Sequence, residues 1–277
     1  MNKVEEKIKG FGGLSIYTQR HIVDDAKANL VIVHGYCEHS DRYQHLVEYF
    51  NGKGMNVFLL DLRGHGKSEG QRAHVMQFEE YHDDLDRFVA QVMEWSPDLP
   101  SFLLGHSLGG LIVFSYLALR PNSPFKGGIL SSPYFGLAID VAPVKKIAAK
   151  LLTKFLPHLS LKSEIDPYLL THDKKVVEDY INDPNVPKVA NTRWFTESAK
   201  MQETCMRKAP EVQLPFLLMH GGEDQIAGPD ITRKIYALLG SKDKQLQILD
   251  GLYHEIFNEI EKQDVMDKTW DWISPRI

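Results

Sequence analysis

The chain has 277 residues, 43% hydrophobic and 25% charged, the balance of a globular protein able to bury a large core. Its 32 basic and 37 acidic side chains leave a net charge of −5, which excludes an overall basic footprint for nucleic acid. Two cysteines, Cys37 and Cys205, are too few for a disulfide framework; with no apolar stretch in Met1–Gly10 and no run of about 18 apolar residues, the expectation is a cytoplasmic protein without secretory signal or membrane span.

Val4–Lys9 and Leu14–Gln19 flank Phe11-Gly12-Gly13 and predict an edge hairpin. Short apolar runs then recur: Leu30–Val33, Asn56–Leu60, Ser101–Leu104, Gly128–Leu130, Phe216–Met219 and Gln245–Leu249. Runs of this length, each stopped by Gly, Asp, Ser or His, read as strands buried on both faces of a parallel sheet. Helical patterns separate most of them, at Tyr43–Asn51, Phe78–Trp95, Leu108–Arg120, Ile231–Leu239 and Glu255–Ile273. The alternation predicts an α/β fold with a mostly parallel eight-stranded sheet and helices on both faces. Between Pro133 and Leu214 the rhythm breaks: six prolines and helical patterns, but no strand candidate. Insertions of this length are commonly functional lids. The expected division is therefore a core of residues 1–133 and 214–277, with a helical cap, 134–213, between the sixth and seventh strands.

Gly105-His106-Ser107-Leu108-Gly109 matches G-x-S-x-G, with an apolar strand before it and an apolar-faced helix after it. That context places Ser107 on a tight strand-to-helix turn, where the flanking glycines supply the lack of bulk the turn needs and the helix N-terminus favours developing negative charge. A serine hydroxyl needs a base. Of the histidines after Ser107, only His254 follows the last strand; His158 and His172 fall in the insertion, and His220 reads as a structural hydrogen-bonding residue at a strand end. The acid is expected at Asp224, after the preceding strand, with Glu223 its neighbouring rival; the other acid position holds Ser131-Ser132-Pro133. The oxyanion donors are expected to be the N–H groups of Leu108 and Tyr36. Neither a H-E-x-x-H metal motif nor a nucleotide-binding glycine loop occurs, so no metal and no cofactor is expected.

His34-Gly35-Tyr36-Cys37-Glu38-His39-Ser40-Asp41-Arg42-Tyr43 and Asp61-Leu62-Arg63-Gly64-His65-Gly66-Lys67-Ser68-Glu69-Gly70 resemble two signatures of the monoacylglycerol lipase and lysophospholipase family of α/β-hydrolases. The insertion is also similar to that family's cap, at Leu156–Leu161 and Tyr180–Pro184. The resemblance runs from about residue 10 to the C-terminus. It implies Ser107, Asp224 and His254 as the triad, Tyr36 and Leu108 as oxyanion donors, and Glu38, Arg42 and Tyr180 as the polar pocket for a glycerol leaving group. One position departs from the pattern: three residues after His254, where family lipases often carry a second histidine, stands Phe257.

The reading is a serine hydrolase cleaving carboxylic esters of single-chain acyl lipids, with a small lipid as its partner and the oligomeric state open. Its rivals are a proline-iminopeptidase-like aminopeptidase, for which Glu164, Asp166, Glu178 or Glu203 would hold a substrate ammonium, and a catalytically idle hydrolase fold serving as a receptor. Asp61 reads as a turn-capping acid, His65 as loop packing, and Cys37 as a small buried hydrophobe. Glu38 and Arg42 either bind substrate or simply pair with each other. In the cap, Val144, Ile147, Ala148, Leu151, Leu152 and Phe155 form an apolar stripe opposite Lys145, Lys146, Lys150 and Lys154. This helix reads as a pocket roof with solvated lysines, or alternatively as a transient contact with the inner membrane face.

Overall fold

The computed structural model describes residues 2–138, 152–163 and 165–277. Eight strands form one sheet in the order β1-β2-β4-β3-β5-β6-β9-β10: β1 (Asn2–Lys9), β2 (Ser15–Ile22), β3 (Ala28–Val33), β4 (Met55–Leu60), β5 (Ser101–His106), β6 (Phe125–Ser131), β9 (Phe216–Gly221) and β10 (Lys244–Leu249). The hairpin β1-β2 is antiparallel and adds to β4 in the antiparallel sense; every other neighbour is parallel. This is the α/β-hydrolase architecture.

Strand alternation divides the core between the two sheet faces. Val31 and Val33 join one cluster with Phe78, Leu85, Phe88, Leu111 and Phe114, from helices Glu79–Trp95 and Leu108–Leu119 and the loop before the first. Leu30 and Ile32 join the other with Leu46, Phe50, Val265 and Ile273, from helices Gln44–Gly52 and Lys262–Ile273. Helix Leu108–Leu119 is buried from Leu108 to Leu117, because it lies between the sheet and helix Thr192–Lys208. β10, at the sheet edge, is only half-buried, so it departs from the expectation of strands covered on both faces.

Two further differences concern the stretches around the site. The segment between β6 and β9 contains a short antiparallel pair, β7 (Ser160–Lys162) with β8 (Val189–Asn191), where no strand was expected. Three residues are too few to show a period. The helix expected to begin at Glu255 begins at Lys262; a single 3₁₀ turn, Ile256–Asn258, precedes it. The apolar stripe and lysines from Val144 to Leu151 lie outside the described residues, as does Glu164. Of the rest of that stripe, Leu152 is half-buried and Phe155 is 72% exposed.

Candidate active site

The loops after β3, β5, β9 and β10 converge at the carboxyl edge of the parallel sheet, where open α/β sheets bind ligands. Ser107 follows β5 directly and stands at the N-cap position of helix Leu108–Leu119 with φ 51° and ψ −115°, a strained backbone for an L-residue. The turn closes only because its flanking residues have no side chain: a Cβ on Gly105 would lie 2.2 Å from the carbonyl oxygen of Gly109, and one on Gly109 would lie 2.1 Å from that of Val33.

His254 follows β10 and is buried. Its Nδ1 lies 2.7 Å from Oδ2 of Asp224. The other carboxylate oxygen, Oδ1, accepts the N–H groups of Ile226 (2.8 Å) and Ala227 (3.0 Å), which fixes the plane of the carboxylate. Nε2 of His220 also reaches Oδ2 at 3.0 Å, while its Nδ1 lies 2.8 Å from Thr232 Oγ1. Burial pushes the Asp224 carboxyl up, but the charge of His254 and the hydrogen bonds of both histidines outweigh it and hold it well below the usual carboxylate range. For His254 burial opposes the charge, and the Asp224 carboxylate more than compensates, raising the imidazole above its ordinary value.

Ser107 and His254 open onto one cavity of about 730 Å³ together with Gly35, Tyr36, Glu38, His106, Tyr180 and Glu255. Its other walls are largely apolar, including Tyr134, Leu137, Leu161, Leu170, Trp194 and Ile226. The Tyr36 backbone N–H takes no protein acceptor among the described residues, and Leu108 begins a helix, whose first N–H groups have no partner within the helix. Tyr36 is held by its ring, stacked on Trp194 at 3.6 Å between centroids, and by its hydroxyl, which donates to Ala73 O at 3.0 Å.

At the polar end of the cavity, Glu38 accepts from Gly35 N–H, from the Tyr43 hydroxyl (2.8 Å) and from Arg42 Nη1 (3.0 Å). Arg42 is bound bidentately by Glu255, at 2.7 Å on each oxygen, and its guanidinium lies over the Tyr180 ring at 5.0 Å. Glu38 and Arg42 therefore do pair with each other. Glu38, Tyr180 and Glu255 line the cavity; Arg42 lies behind them, spent on two carboxylates. Burial and the neighbouring Glu255 push Glu38 up against the pull of Arg42, whereas Arg42 overcomes burial at Glu255 and holds it at about 2. Glu255 was not among the residues expected from the sequence, although it adjoins His254. The aromatic brace of Trp194 on Tyr36 has no local sequence signal, since 158 positions separate them.

Asp61 accepts Ser40 N–H, Ser40 Oγ and Lys67 N–H, capping two turns. His65 is buried against the rings of His34 and Tyr36, and Cys37 is fully buried with its thiol pushed up to about 12 by burial. Phe257 is packed in the core and contributes its carbonyl to His45. Among the described residues no group of three or more His, Cys, Asp or Glu is arranged to hold a metal ion, and no helix is long and apolar enough to cross a membrane.

The family Hydrolase_4, described as serine aminopeptidase, S33, matches residues 24–261. A monoacylglycerol lipase of Mycolicibacterium smegmatis is 33% identical over 271 residues, covering 97% of this chain and 96% of that one. A phospholipase of Bacillus subtilis is 35% identical over 243 residues, covering 87% and 93%. The crystal structure of Paleococcus ferrophilus monoacylglycerol lipase superposes with a TM-score of 0.87 at 32% identity, covering 95% of this chain and 99% of that one.

Proposed function

The chain belongs to the Hydrolase_4 family, within its monoacylglycerol lipase and lysophospholipase group, and from that premise we propose that Ser107, Asp224 and His254 act as the triad of a lipid esterase. The protein is a carboxylic ester hydrolase acting on single-chain acyl lipids. The observation that supports this most strongly is the pairing of a strained serine at the strand-to-helix turn with a buried His254–Asp224 couple on the same cavity.

The steps follow from the groups present. Asp224 accepts the Nδ1–H of His254, which leaves the Nε2 lone pair free to take the Ser107 proton as Oγ attacks the ester carbonyl. The N–H groups of Tyr36 and Leu108 stabilise the oxyanion. His254 then returns the proton to the leaving alcohol, and water releases the acyl group by the same route. Residues 134–213 serve as a cap over the core 1–133 and 214–277, with Leu161, Ile165, Leu169, Leu170, Trp194 and Phe195 lining the space for the lipid chain, for which each buried CH₂ contributes about 0.8 kcal/mol. Glu38 and Tyr180 border the alcohol, with Arg42, itself gripped by Glu255, holding Glu38 in place. Phe155, Leu156 and Leu161 are exposed on the cap, with Leu161 also lining the cavity; these apolar side chains are what we assign to transient contact with a bilayer.

The peptidase reading is not favoured. Of the acids it would use, Glu178 and Glu203 are exposed and outside the cavity lining, and Asp166 lines the cavity with one oxygen committed to Tyr168 N–H. The purified protein assayed on monoacylglycerols, lysophospholipids, p-nitrophenyl esters and aminoacyl arylamides tests the proposal. Turnover of the acyl lipids is expected; arylamide turnover exceeding ester turnover would overturn it.

A further inference from the structure

A buried carboxylate outside the triad grips the backbone on which His254 is mounted. Glu259 is fully buried. Its Oε1 accepts the N–H of Tyr253, the residue before His254, at 2.8 Å, and lies 3.0 Å from His172 Nδ1. Its Oε2 accepts the His172 N–H at 2.9 Å and the Thr171 hydroxyl at 2.9 Å. On the other side of His254, the Glu255 N–H donates to the carbonyl of Leu170 at 2.7 Å. The rings of His172 and Tyr253 lie 3.8 Å apart between centroids. Three consecutive residues of the β6–β9 segment, Leu170, Thr171 and His172, thus hold both flanks of His254, and Leu170 also lines the cavity beside Ser107.

A loop carrying a general base is free to drift unless its backbone is tied, and misplacement by about 1 Å can cost roughly a hundred-fold in rate. Hydrogen bonds to a charged acceptor are about twice as strong as neutral ones, and a buried carboxylate with four donors around it specifies one arrangement of all of them. We infer that Glu259 is a positioning residue for catalysis: it fixes His254 through the Tyr253 N–H and ties that position to the seating of the cap at Thr171 and His172. The inference rests on the esterase reading above, since it concerns how the proposed base is held.

The test compares wild type with Glu259→Ala and Glu259→Gln, on a short p-nitrophenyl ester and on a monoacylglycerol, well below each variant's melting temperature. Wild-type turnover of both substrates is the control for the esterase reading itself; its absence would overturn that reading and this inference with it. Given wild-type activity, Glu259→Ala is expected to lower kcat roughly ten- to hundred-fold on both substrates, with KM changed far less. Glu259→Gln, whose side-chain oxygen can still accept from Tyr253 N–H, is expected to recover part of the loss and covers the case in which the alanine variant does not fold. A third variant, Thr171→Val with His172→Phe, removes side-chain donors from the cap alone and is expected to lower kcat less than Glu259→Ala does. A folded Glu259→Ala or Glu259→Gln enzyme with native kcat and only a lowered melting temperature would reduce Glu259 to a stabilising residue and overturn the inference.

Discussion

Ser107 keeps an unfavourable backbone conformation, of a kind that costs about 1–3 kcal/mol, because two glycines let the surrounding chain close on it. Gly109→Ala would drive a methyl group to within 2.1 Å of the Val33 carbonyl oxygen, so the expected outcome in denaturant titration is a loss of several kcal/mol or failure to fold. Asp224→Asn is expected to lower kcat by about 10⁴, the loss seen when a triad histidine is left in the wrong tautomer, while Glu223→Gln stays near wild type; the reverse order would assign the acid to Glu223. The pH dependence has a definite sign. His254 accepts a proton only when neutral, and Asp224 raises its pKa above the ordinary 6.5. The kcat/KM profile is therefore expected to fall on the acid side with a midpoint above 6.5, measured on a substrate without titrating groups. The proposed triad could be picked out of the sequence because each member follows a recognisable strand at a recognisable place in the chain order. Glu255 and Glu259 were not, because their partners, Arg42 and Tyr253 with Thr171, meet them only in the folded chain.

Between elements, the polar end of the cavity depends on one guanidinium shared by two buried carboxylates. Removing the cation leaves Glu38 and Glu255 uncompensated, so Arg42→Met is expected to cost about 3–5 kcal/mol in stability, read by chemical denaturation. Glu38→Gln keeps the shape and removes the charge; if this end holds a glycerol hydroxyl, monoacylglycerol turnover falls more than turnover of the matching p-nitrophenyl ester. Equal losses would leave Glu38 a structural ion-pair partner. Strands β3, β4, β5, β6 and β9 were readable from apolar runs, since burial on both faces leaves little choice of residue. The break before Lys262 was not, because the apolar spacing after Glu255 continues in helical register. The backbone leaves that register at Glu259, at φ −71° and ψ 168°, where the side chain turns back to Tyr253 and the cap. Local periodicity carries no information about such a long-range bond.

Across the molecule, four buried histidines other than His254, namely His34, His65, His82 and His106, are pushed down by burial from 6.5 to about 3. Above pH 6.5 they are neutral in folded and unfolded chains alike. As pH falls below 6.5 the unfolded chain binds protons that the fold refuses, so stability declines by about 1.4 kcal/mol per pH unit for each. His254, held above 6.5, acts in the opposite sense but is one group against these four and against His21, His45 and His74, which burial also lowers. The melting temperature is expected to drop steeply from pH 6 toward pH 4; a flat profile over that range would show that these histidines are not held neutral. The α/β class was evident from the order of strands and helices and the α/β-hydrolase fold from the serine motif and the two loop signatures, whereas the packing of the segment between β6 and β9 against Tyr36 and the His254 loop required the three-dimensional arrangement. The central claim, ester cleavage through an acyl-enzyme on Ser107, is tested most directly by rapid-quench mass spectrometry of the protein mixed with a p-nitrophenyl ester. A burst of p-nitrophenol with the acyl group mapped to Ser107, absent in Ser107→Ala, is the predicted result; undiminished ester turnover by purified Ser107→Ala, or an acyl group on another residue, would contradict it.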